Sequence, residues 1–468
     1  MTDTNDIIYA SAKTMARAIQ DKQVSAVELV DAHLARIEEV NPTINAVVQL
    51  AAERARAEAV EADAALARGE SKGALHGVPF TLKDSIDTEG VITTGGTLGR
   101  KDYMPDADAT VAARLRAAGG VLLGKSNTPE LTLAAETDNL VYGRTNNPFN
   151  VERTTGGSSG GAGAIVTCGG AAFDIGSDTG GSVRYPAHFC GIAGLKPNSG
   201  RVPRTGHIVP HSMGAVDSLT QNGPMARYVE DLAMILPIIS GPDWSDPFIV
   251  PVPLGDPADV DLSSLRVCFY TDNGIGTPTP ETIAAVRAAV EALADTGCSI
   301  EEDVPSIIAE NPEISNKLSG GDGREWTKRA LEKWGTTESF PYLVQRIAKA
   351  SEFEVPVGGF TEMLEHVDSF RSTMLGFMQN YDVIICPVAA FPAQPHGESL
   401  EDRNQPGMSY TATYNITGWP STVVRGGTSP EGLPIGVQAV ARPWREDVSL
   451  AVAQYLEGVL GGWQKPPI

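Results

Sequence analysis

Cysteine is scarce in this chain: five residues in 468, at Cys168, Cys190, Cys268, Cys298 and Cys386. No two share C-x-x-C spacing, so neither a disulfide framework nor a zinc site is signalled, and the thiols read as buried and reduced. Positive charge is also short. Lysine and arginine number 36 against 58 aspartates and glutamates, a net charge of −22. A surface that acidic repels polyphosphate, which argues against nucleic acid and anionic membranes as main partners. It says little about a small substrate, because a site carries its own local field. Histidine is thin too, with seven residues and none in a recognisable late-chain catalytic loop. No stretch approaches the roughly 18 apolar residues that would span a bilayer. The opening "MTDTNDIIYA" lacks the basic-then-apolar pattern of a secretory leader. These absences predict a cytoplasmic protein.

What is present is an ordinary globular composition, 42% apolar, enough for a sizeable core. The first seventy residues read as helices. In "SAVELVDAHLARIEEVNP", Ser25 and Glu28 have capping-box spacing, and Asn41-Pro42 is the expected stop. A second helix is expected from about Ala51 to Arg68. From Leu75 to about Pro197, short apolar runs ("GVPFTLKDSI", "GVLLGKS", "AAFDIGSDTGG") alternate with helical stretches ("TVAARLRAAG", "SGGAGAIVTCGG"). That alternation predicts an α/β sheet with helices on its faces. Residues 242–261 read as a loop or seam, and 320–323 as loop-rich. Helices follow at "TPETIAAVRAAVEALADTG", near Phe360 to Met378, and at "REDVSLAVAQYLEGVL". "VIICPV", "ITGWPSTVV" and "GLPIGVQAVA" complete the strands. Strand-like runs at both ends of the chain predict one domain over 1–468. It comprises a helical segment at 1–70, a core at 76–203, and a remainder at 204–468 that completes the sheet and carries pocket loops.

The stretch "TTGGSSGGAG", residues 154–163, admits three readings. A phosphate-binding loop would need G-x-x-x-x-G-K-[ST], and no lysine follows. The nucleophile elbow G-x-S-x-G of an α/β-hydrolase fits formally, but it would need a Ser-His-Asp triad with a downstream acid and then a histidine. The elbow needs a strand running into its serine, whereas polar "NPFNVERTT" precedes this one. The third reading joins it to "DIGSDTGGSVRYPA" downstream. There an apolar run feeds a glycine turn, and the N–H groups of Thr179, Gly180, Gly181 and Ser182 can converge as an oxyanion hole for a nucleophile at Ser182. Gly180 and Gly181 leave room for an acyl group.

"HGVPFTLKDSIDTEG" offers the base. A lysine at the end of a buried strand loses its proton because desolvation disfavours the ammonium, and Ser-Lys variants of triad logic exist. A loop hydroxyl would bridge Lys83 to Ser182. Singly, each residue has a plainer role: Lys83 as a solvated lysine, Ser158 and Ser159 as loop serines, Ser182 as a helix cap. Asp178 and Arg184 read as a supporting ion pair. The functional reading rests on the motifs together.

"GVPFTLKDSID", "TTGGSSGGAGA" and "DIGSDTGGSVRYPAHFCGIAGLKPNSGRVP" resemble the signature region of the amidase signature family, almost unbroken from about His76 to Pro203. Weaker similarity extends through "YDVIICPV", "YNITGWPSTVV" and "GLPIGVQAVARPWRED". The resemblance implies a large twisted mixed β-sheet covered by helices on both faces. It puts the family's lysine at Lys83, its cis-peptide bridging serine at Ser158, and its nucleophile at Ser182, 24 residues on. Ser159 matches the serine that supports the network. The four amides from Thr179 to Ser182 take the oxyanion role. The implied reaction is amide cleavage through an acyl-enzyme, with no metal or organic cofactor.

Stand-alone amidases, aryl acylamidases and fatty acid amide hydrolase relatives are the nearer likeness. They imply hydrophobic or aryl amides, with ester and carbamate (urethane) side activity, in a monomer or homodimer. A glutamine amidotransferase component working with partner proteins is the rival within the family. Candidate pocket walls lie at Leu131 to Tyr142, Pro210 to Gly214 and Ile314 to Trp334.

Overall fold

A computed structural model describes residues 7–212 and 219–468. The apolar runs form strands β1 (Val47–Leu50), β2 (Pro79–Lys83), β3 (Val121–Ser126), β6 (Phe173–Asp178), β7 (Ala193–Lys196), β8 (Gln221–Ala226), β9 (Arg266–Phe269), β10 (Ser299–Glu302), β11 (Val383–Pro387), β12 (Ser421–Thr428) and β13 (Pro434–Ala441). A short ribbon, β4 (Asn146–Asn147) and β5 (Asn150–Thr154), stands apart. The main sheet has 11 strands in the order β1-β3-β2-β6-β8-β7-β12-β13-β11-β9-β10, so early and late strands share one surface. It is mixed: β2 runs parallel to β3 and β6, while β8, β12 and β13 pair antiparallel. β2, β3, β6 and β11 are buried along their whole length, as strands covered on both faces must be. The rings of Phe80 and Phe173, on adjacent strands, stack with centroids 5.1 Å apart. Burying each such ring stabilises by ~2–3 kcal/mol.

Helix α1 (Ala12–Gln20) precedes α2 (Ala26–Ile44), and α3 (Ala52–Ala67) follows β1. Ser25 and Glu28 close a reciprocal capping box at the start of α2. The expected stop at Asn41-Pro42 does not occur; the helix runs to Ile44 and ends at Asn45, whose φ is 48°. Pro42 falls in the last turn and leaves the Glu38 carbonyl without its usual donor, while the Asn41 carboxamide oxygen takes the N–H groups of Ala46 and Val47. Next come α4 (Thr110–Ala117), α5 (Gly160–Thr167), α6 (Arg184–Cys190), α7 (Val229–Ile239) and α8 (Pro280–Ala294). The loop expected around 320–323 is a turn, at 321–324, between two helices, α9 (Asn311–Gly320) and α10 (Glu325–Lys333). Gly320 ends α9, and Gly321 and Gly323 lie in the turn that follows. The chain closes with α11 (Pro341–Ala348), α12 (Val357–Met378), α13 (Ser409–Ile416) and α14 (Glu446–Leu460). Among the described residues no helix is long and apolar enough to cross a membrane.

Candidate active site

Because β2 and β6 are parallel neighbours, with Thr81 opposite Asp174, their carboxyl ends open on the same edge of the sheet. That edge is where open α/β sheets place their ligands. β2 ends at Lys83 and β6 at Asp178. The Lys83 amine donates to Ser158 Oγ at 2.6 Å and to Ser177 Oγ at 2.9 Å. Lys83 is fully buried. Desolvation disfavours its charged form and brings the pKa from 10.5 down to about 7, against the opposing pull of Asp178 and Asp174. The amine therefore holds and releases a proton near neutrality.

Ser158 lies in the loop that enters α5, after a cis Gly157–Ser158 peptide. Its neighbour ties the loop down. Ser159 N–H donates to the Ser182 carbonyl at 3.2 Å, and Ser159 Oγ accepts Ser177 N–H at 3.3 Å. A Cβ on Gly176 would stand 2.6 Å from Ser159 Oγ, so glycine in the strand lets the serine approach. Sequence reasoning misses Ser177, though it is a direct partner of the lysine. Its only signal is a hydroxyl one residue before Asp178, at a strand end facing the same edge.

Ser182 sits in the turn between β6 and α6. Lys83, Ser158 and Ser159 are buried, whereas Thr179, Gly180 and Ser182 are half-buried and form the accessible lip of the cluster. One expected oxyanion donor is diverted. Gly181 N–H donates to Asp178 Oδ1 at 2.8 Å, because that carboxylate folds back over its own turn and also takes Val183 N–H at 3.1 Å. Among the described residues nothing accepts the N–H of Thr179, Gly180 or Ser182. The two glycines also differ. A Cβ on Gly180 would meet no described atom within 4 Å. Gly181 has φ +137°, and a Cβ there would strike the Tyr185 ring at 2.4 Å and Thr411 Oγ1 at 2.5 Å. Its glycine serves packing and backbone direction, not substrate room.

The ion pair beneath the turn is bidentate: Arg184 Nε to Asp178 Oδ2 and Nη2 to Asp178 Oδ1, each at 3.0 Å, with both side chains fully buried. Burial alone would raise the Asp178 carboxyl; the Arg184 guanidinium and the Asn415 amide hold it well below the usual carboxylate range. α13 completes the clamp, with Asn415 Nδ2 on Asp178 Oδ1 at 2.9 Å and the Arg184 guanidinium on Thr411 O at 3.0 Å.

The histidines are occupied elsewhere. His207 bonds Ser85 Oγ at 2.9 Å, and burial followed by the Lys83 charge lowers its pKa to about 3. His188 accepts Gly436 N–H and faces the Phe391 carbonyl. Among the described residues no histidine bonds Ser158, Ser159 or Ser182, so the Ser-His-Asp alternative has no geometry here. Nor do any three His, Cys, Asp or Glu side chains among them group as metal ligands.

Two of the expected pocket walls meet. Leu131 packs with Ile208, Val209 and Leu343, and Leu133, Trp326 and Leu331 lean on the same cluster. Leu131 N–H bonds the Gly95 carbonyl and Gly95 N–H bonds the Asp84 carbonyl, one residue beyond Lys83. From the stretch Pro210 to Gly214, Met213 and Gly214 lie outside the described residues. Tyr142 borders a different space, a groove of about 1020 Å³ beside α2 and α3, lined also by Leu34, Ile37 and Leu50 but by none of Lys83, Ser158 and Ser182.

The profile of the family described as Amidase matches residues 28–450. The acylamidase of Rhodococcus erythropolis is 34% identical, over 100% of this chain and 98% of its own length. A glutamyl-tRNA(Gln) amidotransferase subunit of Roseiflexus sp. (strain RS-1) is 36% identical over 94% of each chain. A solved 6-aminohexanoate cyclic dimer hydrolase complexed with substrate superposes with a TM-score of 0.88 at 30% identity, covering 98% of this chain and 99% of that one. A desolvated amine on a serine hydroxyl at a strand edge thus sits in a chain that, over nearly its whole length, belongs to the amidase signature family of amide-hydrolysing enzymes.

Proposed function

We propose that Ser182 is the nucleophile, Ser158 the proton relay and Lys83 the base of an amide hydrolase acting through an acyl-enzyme. The observation that carries this reading is the 2.6 Å bond from the buried Lys83 amine to Ser158 Oγ. Neutral Lys83 draws a proton through Ser158 as Ser182 Oγ attacks the carbonyl carbon. The oxyanion develops against the free amides of Thr179, Gly180 and Ser182, each such donor being worth ~3 kcal/mol. The proton returns through Ser158 to the leaving nitrogen, which an amide requires because its anion leaves poorly. Water reverses the relay and frees the acid. Each step runs on groups of this chain.

The cluster around Leu131, Ile208, Val209 and Trp326 favours hydrophobic or aryl amides, with esters and carbamates as side substrates. A fluorophosphonate probe should label the wild type on Ser182. Ser182→Ala should lose both the label and the hydrolysis of anilides, amides, esters and carbamates while keeping its fold. A folded Ser182→Ala protein that still cleaves a short aryl anilide overturns the assignment.

The amidotransferase relative at 36% identity favours a second reading, release of ammonia from glutamine in complex with partner proteins. Ammonia release from free glutamine by the isolated chain, faster than anilide cleavage, would select it.

A further inference from the structure

We propose that Asp174 is a positioning residue for the base: its carboxylate, one strand over from Lys83 and on the same face of the sheet, is the counter-charge to the lysine ammonium that forms as Ser182 gives up its proton. The inference rests on the reading of Lys83 as base and Ser182 as nucleophile, and adds a residue to it.

Side chains two apart on a strand share a face. Thr81 and Lys83 are such a pair on β2, and Thr81 stands opposite Asp174 on β6. The Thr81 hydroxyl donates to Asp174 Oδ2 at 2.6 Å, which holds the carboxyl on the Lys83 side of the sheet. Two residues further along β6, a Cβ on Gly176 would stand 2.6 Å from Ser159 Oγ, so the relay loop covers this same face. On the opposite flank of β2, Ser126 pairs with Lys83. One face of three adjacent strands thus gathers Ser126, Thr81, Lys83 and Asp174 beneath Ser158 and Ser159. Residues related as Asp174 is to Lys83 lie about 8 Å apart at the backbone, which a lysine side chain spans easily. The Lys83 amine does reach across to β6, where it donates to Ser177 Oγ.

Asp174 is fully buried, yet its Oδ1 makes no hydrogen bond among the described residues, and neither does the buried Ser126 Oγ. Nor does Asp174 form an ion pair among them, whereas Asp178 is gripped by Arg184 at 3.0 Å. A buried carboxylate so poorly bonded is costly unless a cation offsets it. Two buried lysines act on it from a distance. Lys125, opposite Leu82, leaves β3 on the other face, where its amine donates to the Ile86 carbonyl and to Thr88 Oγ1. Lys83 is the cation on the face of Asp174 itself. Burial raises the Asp174 pKa to about 6, against the Thr81 and Ser126 hydroxyls and then the Lys125 and Lys83 charges. Asp178 and Asp174 in turn resist the burial that brings Lys83 down to about 7. Asp84, bonded to Thr94, and His207, bonded to Ser85, lie beyond the end of β2. Helix α5, packed across these strands, carries no ionisable side chain.

This arrangement favours the protonated base. While Lys83 is neutral, the Asp174 charge has no partner on its face. Once the Ser182 proton has arrived through Ser158, ammonium and carboxylate offset each other in a dry site, where their attraction is several-fold stronger than in water. Asp178 pulls in the same direction, but replacing it also strips Arg184 of its partner. Asp174 is the carboxylate whose effect on the base can be isolated.

The test follows kcat/KM for an aryl anilide, and the rate of Ser182 labelling by a fluorophosphonate, from pH 5 to 9. Asp174→Asn keeps the shape and an acceptor for Thr81 while removing the charge. Its acid limb should move about 0.5–1 pH unit lower, and its plateau should fall about threefold, because the amine becomes a weaker base. A merely structural role would lower the rate with the limb unmoved, and that result overturns the proposal. Where Asp174→Asn does not fold, Thr81→Val carries the comparison. It removes the hydroxyl that stabilises the ionised carboxyl, so Asp174 keeps its proton to higher pH and the limb again moves lower; Thr81→Ser should restore it. A limb unmoved in Thr81→Val then overturns the proposal. A wild type with no acid limb at all sinks the base assignment itself, a failure distinct from a wild-type limb that Asp174→Asn leaves in place.

Discussion

Lys83→Met separates the chemistry of the amine from its contribution to the fold. The buried Lys83 titrates at about 7 instead of 10.5, so half the wild-type molecules hold a neutral amine at pH 7. A lysine of ordinary pKa would be neutral in only about one molecule in 3000 at that pH. Wild-type kcat/KM should therefore climb tenfold per pH unit on the acid side, level off above about pH 8, and stand about a hundredfold below its plateau at pH 5. Lys83→Met should lose activity by at least a factor of about 10³ and lose that limb. Stability moves the other way. The difference between about 7 and 10.5 corresponds to ~5 kcal/mol against the charged, buried form. The native pKa lies below the unfolded one, so between them the unfolded state binds more protons and stability rises with pH. The penalty is complete below pH 7 and is relieved as pH approaches 10.5. Methionine removes it but leaves Ser158 and Ser177 without a donor, at ~1 kcal/mol each. Urea unfolding at pH 6 should find Lys83→Met more stable than wild type by ~2–3 kcal/mol, with the gap closing by pH 9.5. A wild-type rate that is flat from pH 5.5 to 8.5 refutes the neutral-amine reasoning. A Lys83→Met protein less stable than wild type at both pH values refutes the burial argument.

Two further substitutions probe the turn and another the lysine's second partner. Gly180→Ala should change stability by less than ~0.5 kcal/mol, because its methyl meets no described atom, yet cut kcat/KM by an order of magnitude if substrate fills that space. Gly181→Ala should instead destabilise by ~2 kcal/mol or more in the same melts, since it combines a φ of +137° with a clash on Tyr185. Ser177→Ala removes the 2.9 Å partner of Lys83 and should lower kcat several-fold while displacing the acid limb of the pH profile. A kcat that falls with the limb unmoved would make Ser177 merely structural.

How much of the molecule is legible in the sequence depends on the range of the interactions involved. Lys83 can be placed because a glycine-bounded apolar run makes a strand, and a strand's last residue sits at a sheet edge. The glycine turn around Ser182 is equally local. Ser177 is not readable, because its role arises only when β2 lies parallel to β6 and brings the lysine alongside. The diversion of the Gly181 amide is hidden for another reason: one φ decides which way an N–H points, and residue type does not give that angle. α9 and α10 are masked by the glycines at 320, 321 and 323, which punctuate two amphipathic helices that tertiary packing on α13 and on Leu131 makes stable.

Asp178 joins the turn to the base, and its two effects oppose each other. Its carboxylate orients Gly181 N–H and the start of α6, yet its charge favours the ammonium form of Lys83 and so works against proton abstraction. The arrangement holds because Arg184 neutralises most of that charge at 3.0 Å while leaving both carboxylate oxygens free to take further donors. Asp178→Asn discriminates the two effects. Losing the partner of a buried Arg184 should destabilise the fold by ~3–5 kcal/mol. The same change should shift the acid limb of kcat/KM to lower pH, since one cause that raises the Lys83 pKa is gone. kcat on the plateau should still fall, because an amide in place of the carboxylate holds the turn less firmly. An acid limb that moves to higher pH in a folded Asp178→Asn protein would show that Asp178 acts on the lysine through geometry and not through charge.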